Sequence, residues 1–182
     1  MKLTPSPRRA SAWGFIVAVV LALVGCGPGL GGTGTGLTPD DAFAAQGARS
    51  VPVCQSDFGD LLSCAAPAPG ASPAPASDAR FFAEATPASR HLLELEGQEA
   101  QLRLRCLDIV FIGSFGQAGN EAPRYYGNII EGGSRVRLAS LLVQRDATGL
   151  RVTLVDAHTG RTVFGPQGLA PVAGTTSAAS CP

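Results

Sequence analysis

The chain has 182 residues, and its 14 Lys and Arg residues balance 14 Asp and Glu residues, so the formal net charge at pH 7 is zero. No basic run stands out, which argues against nucleic acid as a partner. The length is sufficient for one domain with a hydrophobic core.

The N-terminus has the layout of a secretory signal peptide. Lys2, Arg8 and Arg9 precede an apolar run at residues 15–24, which is shorter than the ~20 residues a membrane-spanning helix needs. The run ends in LVGC at residues 23–26, and this tetrad resembles the lipobox of bacterial lipoproteins. The resemblance is confined to this N-terminal stretch. The alternatives are an ordinary signal peptide or a short anchor helix with a chance cysteine.

The resemblance implies that residues 1–25 are removed by cleavage between Gly25 and Cys26. Cys26 would then carry a thioether-linked diacylglycerol, and its freed amine a further fatty acid of the palmitate type. Such chains hold a protein on a bilayer because each buried methylene contributes ~0.8 kcal/mol. In enterobacterial lipoproteins an Asp in the next position retains the protein in the inner membrane. Gly27 stands there instead, so the resemblance favours the outer membrane.

A flexible tether and a short helix are predicted to follow. The tether covers residues 26–37, and its glycines superficially resemble a phosphate-binding loop, but such a loop must join a strand to a helix. Thr38 can cap a helix, Pro39 suits its first position and Gly47 suits its end, so a helix is predicted over residues 39–46. Residues 51–53 are predicted to be extended.

Besides Cys26, four cysteines are present: Cys54, Cys64, Cys106 and Cys181. An even number in an exported chain indicates two disulfides, for which three connectivities exist. We favour Cys54–Cys64, which closes a local loop, and Cys106–Cys181, which would pin the C-terminal tail to a core strand. Because the chain has no Cys-x-x-Cys pair and no paired histidines, neither a metal site nor a cofactor is predicted.

An all-β domain is predicted over residues 78–173. It follows a segment with the helix and the first cysteine pair (38–66) and a Pro/Ala-rich linker (67–77), and it precedes a polar tail (174–182). Residues 101–106 alternate between apolar and polar, and three hairpins follow with Gly near each turn. Strands are predicted at 80–85, 92–96, 101–106, 109–112, 124–130, 134–145, 150–156 and 161–164. We expect an antiparallel meander of seven or eight strands that forms a small sandwich or barrel.

No motif specifies a reaction. Asp156 and His158 flank a turn, and Ser140 or Ser134 could complete a triad, but a triad is recognised by geometry. The chain has no Gly-x-Ser-x-Gly elbow, and we interpret His158 as a solvated turn residue. Two other charged sets follow the alternation of the strands. Glu94, Glu96 and Glu99 could act as paired carboxylates, and five arginines could form a basic stripe for an anionic partner: Arg103, Arg105, Arg135, Arg137 and Arg151. We favour solvated sheet faces that discourage edge pairing.

The predicted contact surface is the stretch 113–123 and the residues after it. This stretch reads as the longest irregular segment of the β domain, and loops on a rigid sheet tend to carry binding residues. Phe115, Arg124, Tyr125 and Tyr126 are the candidate contacts, because tyrosine and arginine are enriched at binding hot spots. Period-two geometry places the tyrosines on opposite faces, so we expect one in the core and the other exposed. The alternative is that both are structural.

Together these features predict a lipid-anchored protein of the cell envelope, in which the β domain is a non-catalytic binding or scaffolding module in the periplasm. Its expected partners are the membrane, through the lipid, and another envelope protein. The alternatives are a lipid-anchored periplasmic hydrolase and a periplasmic enzyme inhibitor. A deep polar pocket holding His158 or His91 beside a serine or carboxylate would favour the hydrolase.

Overall fold

A computed structural model describes residues 39–64, 69–70, 78–84, 89–173 and 181. The predicted signal peptide, the whole tether with Cys26, most of the linker, and the tail apart from Cys181 lie outside these residues. Within the described part, no helix is long and apolar enough to cross a membrane. The same part contains one α-helix, α1 (Pro39–Ala45), and nine strands: β1 (Ala48–Ser50), β2 (Arg80–Ala83), β3 (His91–Glu96), β4 (Glu99–Leu104), β5 (Ile109–Ala118), β6 (Arg124–Glu131), β7 (Arg135–Asp146), β8 (Gly149–Asp156) and β9 (Thr162–Val172).

Eight of these strands form a closed antiparallel barrel. Each strand from β2 to β9 pairs with the next one along the chain, and β9 pairs with β2 to close the ring. The short strand β1 lies outside the ring and pairs with the end of β5, from Ala48 opposite Ala118 to Ser50 opposite Gly116. The predicted meander is confirmed, and it forms a barrel. Closure removes the unpaired edges that an open sheet would expose.

The barrel interior is filled by apolar side chains. Along β5, Ile109, Phe111 and Phe115 are buried, while the alternate residues Val110 and Ile112 are only partly buried. This period of two follows from the pleat of a strand, which turns successive side chains to opposite faces. An eight-stranded barrel is just wide enough for side chains to fill it, and inward residues from every strand except β1 join one core cluster.

The hairpin turns agree with the predicted glycine positions. Between β6 and β7, Gly132 and Gly133 have φ values of 55° and 69°. Two successive residues with positive φ match the twist of a tight hairpin, and only glycine adopts them without strain. The sequence Glu-Gly-Gly therefore places this turn.

A segment before the barrel closes one of its ends, and we name residues 51–64 the plug. It contains a 3-10 helix, Val53–Gln55, and it is closed by the Cys54–Cys64 disulfide. Three of its side chains join the core cluster: Val53, Phe58 and Leu62. Phe58 meets Phe115 edge to face, with ring centroids 6.1 Å apart. The plug thus extends the barrel core by one layer.

Polar contacts fasten the plug to two hairpin turns. The Gln98 side chain, in the β3–β4 turn, accepts a hydrogen bond from the Val53 amide at 2.7 Å and donates one to the Val51 carbonyl at 2.8 Å. Arg145, near the β7–β8 turn, donates to the Asp57 carbonyl at 2.6 Å. Because the strands alternate in direction, these turns lie at the same end of the barrel, and the plug seals that end.

The second disulfide joins Cys106 to Cys181, with a Cα–Cα distance of 5.2 Å, so both expected pairings are present. The expected location of Cys106 on a core strand is wrong. Strand β4 ends at Leu104, and Cys106 lies in a 3-10 turn, Arg105–Leu107, that follows it. The disulfide therefore ties the C-terminal region to a turn at the rim of the barrel.

The expectation of an irregular segment at residues 113–123 is wrong for 113–118, because β5 continues to Ala118, whereas residues 119–123 are irregular as predicted. The glycines here allow close packing. A Cβ on Gly113 would lie 2.8 Å from the Tyr126 carbonyl oxygen, and one on Gly116 would overlap the Phe43 ring. Glycine inside a strand often marks such a close approach.

Two further predictions need correction at strand ends. Strand β9 runs to Val172, well beyond the predicted end at residue 164, because its second half pairs with β8 and then closes the barrel on β2. A register irregularity in the β8 pairing accommodates Gly165 and Pro166, and such irregular positions are where prolines are tolerated in sheets. In the piece expected to be extended at 51–53, Pro52 has an extended backbone, but the strand itself lies earlier, at β1, and Val53 begins the 3-10 helix.

Candidate functional site

A cleft of about 460 Å³ lies on the outer wall of the barrel, and we name it the outer-wall cleft. The outward residues of β6, β7 and β8 form its floor. The end of α1 forms one side, and the turn between β8 and β9 forms the other. Its polar lining comes from segments that are far apart in sequence: Gln46, Glu121, Arg124, Ser140, Asp156 and His158.

Helix α1 is fixed against this wall by one aromatic and one polar contact. The Phe43 ring meets Tyr126 edge to face, with centroids 6.0 Å apart. The side-chain amide nitrogen of Gln46, Nε2, donates a hydrogen bond to the Ala139 carbonyl at 3.1 Å and a weaker one to the Gly127 carbonyl at 3.4 Å. These strand carbonyls belong to the barrel wall, so the helix end holds a defined position beside the cleft.

The opposite side of the cleft is fixed by Asp156. One carboxylate oxygen accepts hydrogen bonds from the His158 amide at 3.0 Å, the Thr159 amide at 2.8 Å and the Thr159 hydroxyl at 2.9 Å. The other oxygen forms an ion pair with Arg137, which also pairs with Glu131. The hydrogen bond from the Thr159 backbone, with those from the Thr159 hydroxyl and Arg137, holds the pKa of Asp156 below its usual value despite its burial. The carboxylate is therefore committed to the turn.

Other polar groups of the cleft have incomplete hydrogen bonding within the described residues. Ser140 is buried, with 6% of its surface exposed. Neither its hydroxyl nor the His158 imidazole has a hydrogen-bond partner among the described residues. Arg124 forms an ion pair with Glu121 at 3.1 Å, and its Nε is buried without an acceptor in the described part of the chain. These groups are hydrogen-bond donors that face, or lie beside, the same space.

The tertiary structure brings Ser140, Asp156 and His158 into one cleft, while Ser134 lies in the β6–β7 turn outside it. The three do not form a catalytic relay. Asp156 receives the backbone amide of His158 and not its imidazole. A catalytic carboxylate must hold the imidazole in its working orientation, and Asp156 has its oxygens engaged elsewhere.

His91 lies outside the cleft. Its ring is tilted against Phe164 with a centroid distance of 4.5 Å, and its Nδ1 lies 2.5 Å from a carboxylate oxygen of Glu84. Strand β2 ends at Ala83, so His91 and Phe164 meet across the space beyond its end. This position assigns His91 a packing role in the barrel wall.

The four predicted contact residues separate into two pairs. Phe115 and Tyr125 point into the barrel, with ring centroids 5.1 Å apart, and they are buried. Buried core residues do not contact a partner, so these two assignments are wrong. Arg124 and Tyr126 line the outer-wall cleft. The expectation that one tyrosine is exposed is also wrong, since α1 packs over Tyr126 and leaves only 4% of it exposed.

The predicted basic stripe is interrupted. Strands β5 and β6 separate Arg103 on β4 from Arg135 and Arg137 on β7. Arg137 is paired with Asp156 and Glu131, and Arg151 is paired with Asp146 at 3.0 Å. Neutralised arginines on separated strands do not present a continuous positive surface.

Glu94, Glu96 and Glu99 border a smaller depression of about 260 Å³ on the outer faces of β3 and β4. Within the described residues, no group of three or more His, Cys, Asp and Glu side chains is arranged to hold a metal ion.

Comparison of the chain with protein-family models, curated proteins and solved structures found no match.

Proposed function

We propose that the chain is a lipid-anchored protein of the bacterial cell envelope, in which the barrel is a non-catalytic binding module. The tetrad at residues 23–26 supports the anchor through its resemblance to the lipobox. The pairs Cys54–Cys64 and Cys106–Cys181 support export, since disulfides persist in oxidising compartments such as the periplasm. Gly27 favours the outer membrane.

The observation that supports the binding role is that both carboxylate oxygens of Asp156 already have partners within the chain. Its carboxylate holds the β8–β9 turn and Arg137, so it shapes the outer-wall cleft and leaves His158 without an orienting acid. The interior of the barrel is filled by side chains, so a partner is expected on the outside. We assign the partner, another envelope protein, to the outer-wall cleft.

The proposed anchor and the length of the chain after it set an upper limit on the distance between the membrane and the barrel. Twelve residues, 27–38, separate Cys26 from the start of α1. A fully extended chain of that length spans about 40 Å. The end of α1 is one side of the cleft, so the tether limits the cleft to partners close to the bilayer.

Lipidation is tested by Cys26→Ala. This change should block thioether formation and cleavage, so the precursor should accumulate and radiolabelled palmitate should enter only the wild type. Equal labelling of the variant would refute the anchor.

The binding role is tested by crosslinking in intact cells with a variant that fills the cleft. Ala157→Trp places a large side chain on an exposed turn residue that lines the cleft, and it should abolish recovery of the crosslinked partner. Ala147→Trp is the matched control, because Ala147 is an exposed alanine in the β7–β8 turn outside the cleft. Equal recovery with both variants would contradict the assignment.

A lipid-anchored hydrolase is the second candidate, because Ser140 and His158 share the outer-wall cleft. It is tested with a simple activated ester and the variant Ser140→Ala. Ser114→Ala on the outer face of β5 is the control, since Ser114 is half-buried and does not line the cleft. Ester hydrolysis that is lost only in Ser140→Ala would favour the hydrolase over the binding module.

A further inference from the structure

We propose that the outer-wall cleft binds a carboxylate carried on a short apolar body, and that this carboxylate displaces Glu121 from Arg124. The inference rests on the proposed binding function and specifies the chemistry of its ligand. It starts from the pairing of Arg124, which is incomplete within the described residues.

The side chain of Arg124 is mostly buried, whereas the side chain of its partner is mostly exposed. Arg124 is the first residue of β6, and 24% of its side chain is exposed. Glu121 precedes the strand, and 60% of its side chain is exposed. Ion pairs this open to water contribute only about 0–1 kcal/mol, because water and salt screen them. A competing carboxylate therefore has little to overcome.

The existing contact also leaves room for a stronger one. Glu121 approaches the Nη2 of Arg124 at 3.1 Å, while the Nε, on the same edge of the guanidinium, has no acceptor in the described part of the chain. A carboxylate that bridges Nη2 and Nε makes two parallel hydrogen bonds, which is the strongest geometry for this pair of groups. Glu121 thus occupies the position of a ligand carboxylate without making both bonds.

The rest of the cleft fits the same ligand. The Ser140 hydroxyl and the His158 imidazole add donor capacity, and the Asp156 carboxylate is balanced by Arg137. One guanidinium, whose partner among the described residues is the exposed carboxylate of Glu121, matches a singly charged carboxylate better than a doubly charged phosphate. Leu138, Val155 and nearby alanines supply apolar surface, and a cleft of about 460 Å³ is in the size range of small-ligand sites.

The test is a titration of the full ¹⁵N-labelled chain in detergent micelles with sodium acetate and sodium butyrate at constant ionic strength. The amide signals of Ser140 and Gly160, which line the cleft, should shift and saturate. Each added methylene should tighten binding about fourfold, so butyrate should bind about fifteenfold more tightly than acetate. A response to inorganic phosphate that exceeds the response to butyrate would overturn the proposal.

Three variants separate this mechanism from nonspecific anion binding. Arg124→Gln should weaken butyrate binding at least tenfold, and Glu121→Gln should tighten it severalfold because the competing carboxylate is gone. Arg135→Gln is the matched control, since Arg135 lies outside the cleft and its side chain is 78% exposed. Equal binding by the Arg124 and Arg135 variants, or weaker binding by Glu121→Gln, would overturn the proposal. Glu121→Gln keeps the test decisive if Arg124→Gln fails to fold.

A short peptide with a free C-terminus, compared with its amidated form, identifies the source of the carboxylate. Preference for the free form indicates a protein C-terminus, whereas binding of butyrate alone indicates a small free acid. If no carboxylate titrates while Ala157→Trp still abolishes partner recovery, the carboxylate proposal fails and the binding module stands.

Discussion

The two faces of strand β6 show how one barrel wall performs two tasks. Tyr125 points inward, packs on Phe115 and has a buried hydroxyl without a partner among the described residues. Its neighbour Tyr126 points outward under Phe43, and its hydroxyl accepts a hydrogen bond from the Ala118 amide at 3.1 Å. At these two positions, the inner side chain fills the core, and the outer side chain makes a directed polar contact.

The same contrast continues across β7 and β8. The inward residues Leu141 and Leu154 are fully buried in the core cluster. The outward residue Ser140 is also buried, but it borders the cleft. Burial alone therefore does not separate core from site on β7, whereas the direction of each side chain does.

The largest expected effect is in the interior. Phe111→Ala should lower the free energy of unfolding by about 3–5 kcal/mol, because a fully buried ring leaves a cavity that the closed barrel cannot collapse. Ile112→Ala, the next residue and half-buried on the outer face, should cost about 1 kcal/mol or less. Urea unfolding monitored by circular dichroism measures both. Similar losses of unfolding free energy in the two variants would contradict the assignment of Phe111 to the inner face and Ile112 to the outer face.

The next effect concerns the plug. Replacing Cys54 and Cys64 together with serine should lower stability by about 3 kcal/mol, since the disulfide restricts a short loop in the unfolded chain. Comparison of the variant with wild type by urea unfolding without reductant leaves Cys106–Cys181 intact. A loss below about 1 kcal/mol would show that the contacts of Phe58 and Leu62 hold the plug without its disulfide.

The two tyrosines should respond with opposite signs. Tyr125→Phe should raise the free energy of unfolding by about 1 kcal/mol, because it removes a buried hydroxyl without a partner. Tyr126→Phe should lower it by about 1 kcal/mol, because the Ala118 amide loses its acceptor. Thermal unfolding of both variants is the measurement, and effects of the same sign would contradict the assignment of faces.

Tyr125 also predicts a dependence on alkaline pH. Burial raises the pKa of Tyr125 above its usual value, so the folded protein keeps this phenol neutral where the unfolded chain ionises it. The corresponding stability is complete below the unfolded pKa of about 10 and is lost as the pH rises beyond it. The loss of stability above pH 10 should be smaller in Tyr125→Phe than in wild type.

The smallest effect is expected at Asp156. Its pKa is lowered in the folded state, so the stability it contributes is present above the unfolded pKa, near 4, and is lost as the pH falls. Asp156→Asn keeps an acceptor for the turn but loses the charge opposite Arg137, so we expect a loss of about 0.5–1 kcal/mol at pH 7. The loss should shrink as the pH falls through the lowered pKa of Asp156 in the folded state. Asp78→Asn is the control at an exposed position and should have no effect across this pH range.

Sequence alone was sufficient for most of the local structure. The cap and stop residues placed α1 to within one residue of its end, and alternating or continuous apolar runs with turn residues between them located every barrel strand at least in part. The cysteine count and spacing led to both disulfides. The helix and the strands depend on residues close together in the chain, and the disulfides were inferred from an even number of cysteines. These features can therefore be predicted without the tertiary structure.

Tertiary structure decided the features that depend on distant residues. Closure of the barrel joins β9 to β2, whose paired residues are about 90 positions apart, and no local pattern encodes that pairing. The glycines of β5 predicted a loop from the sequence. In the structure they lie in a strand, where Phe43 and Tyr126 pack against the space that a side chain would fill. Tyr126 is buried only because α1 covers it, and the outer-wall cleft exists only where α1, β6, β7 and the β8–β9 turn meet. Each outcome follows from which surfaces pack together, and that is a property of the folded chain.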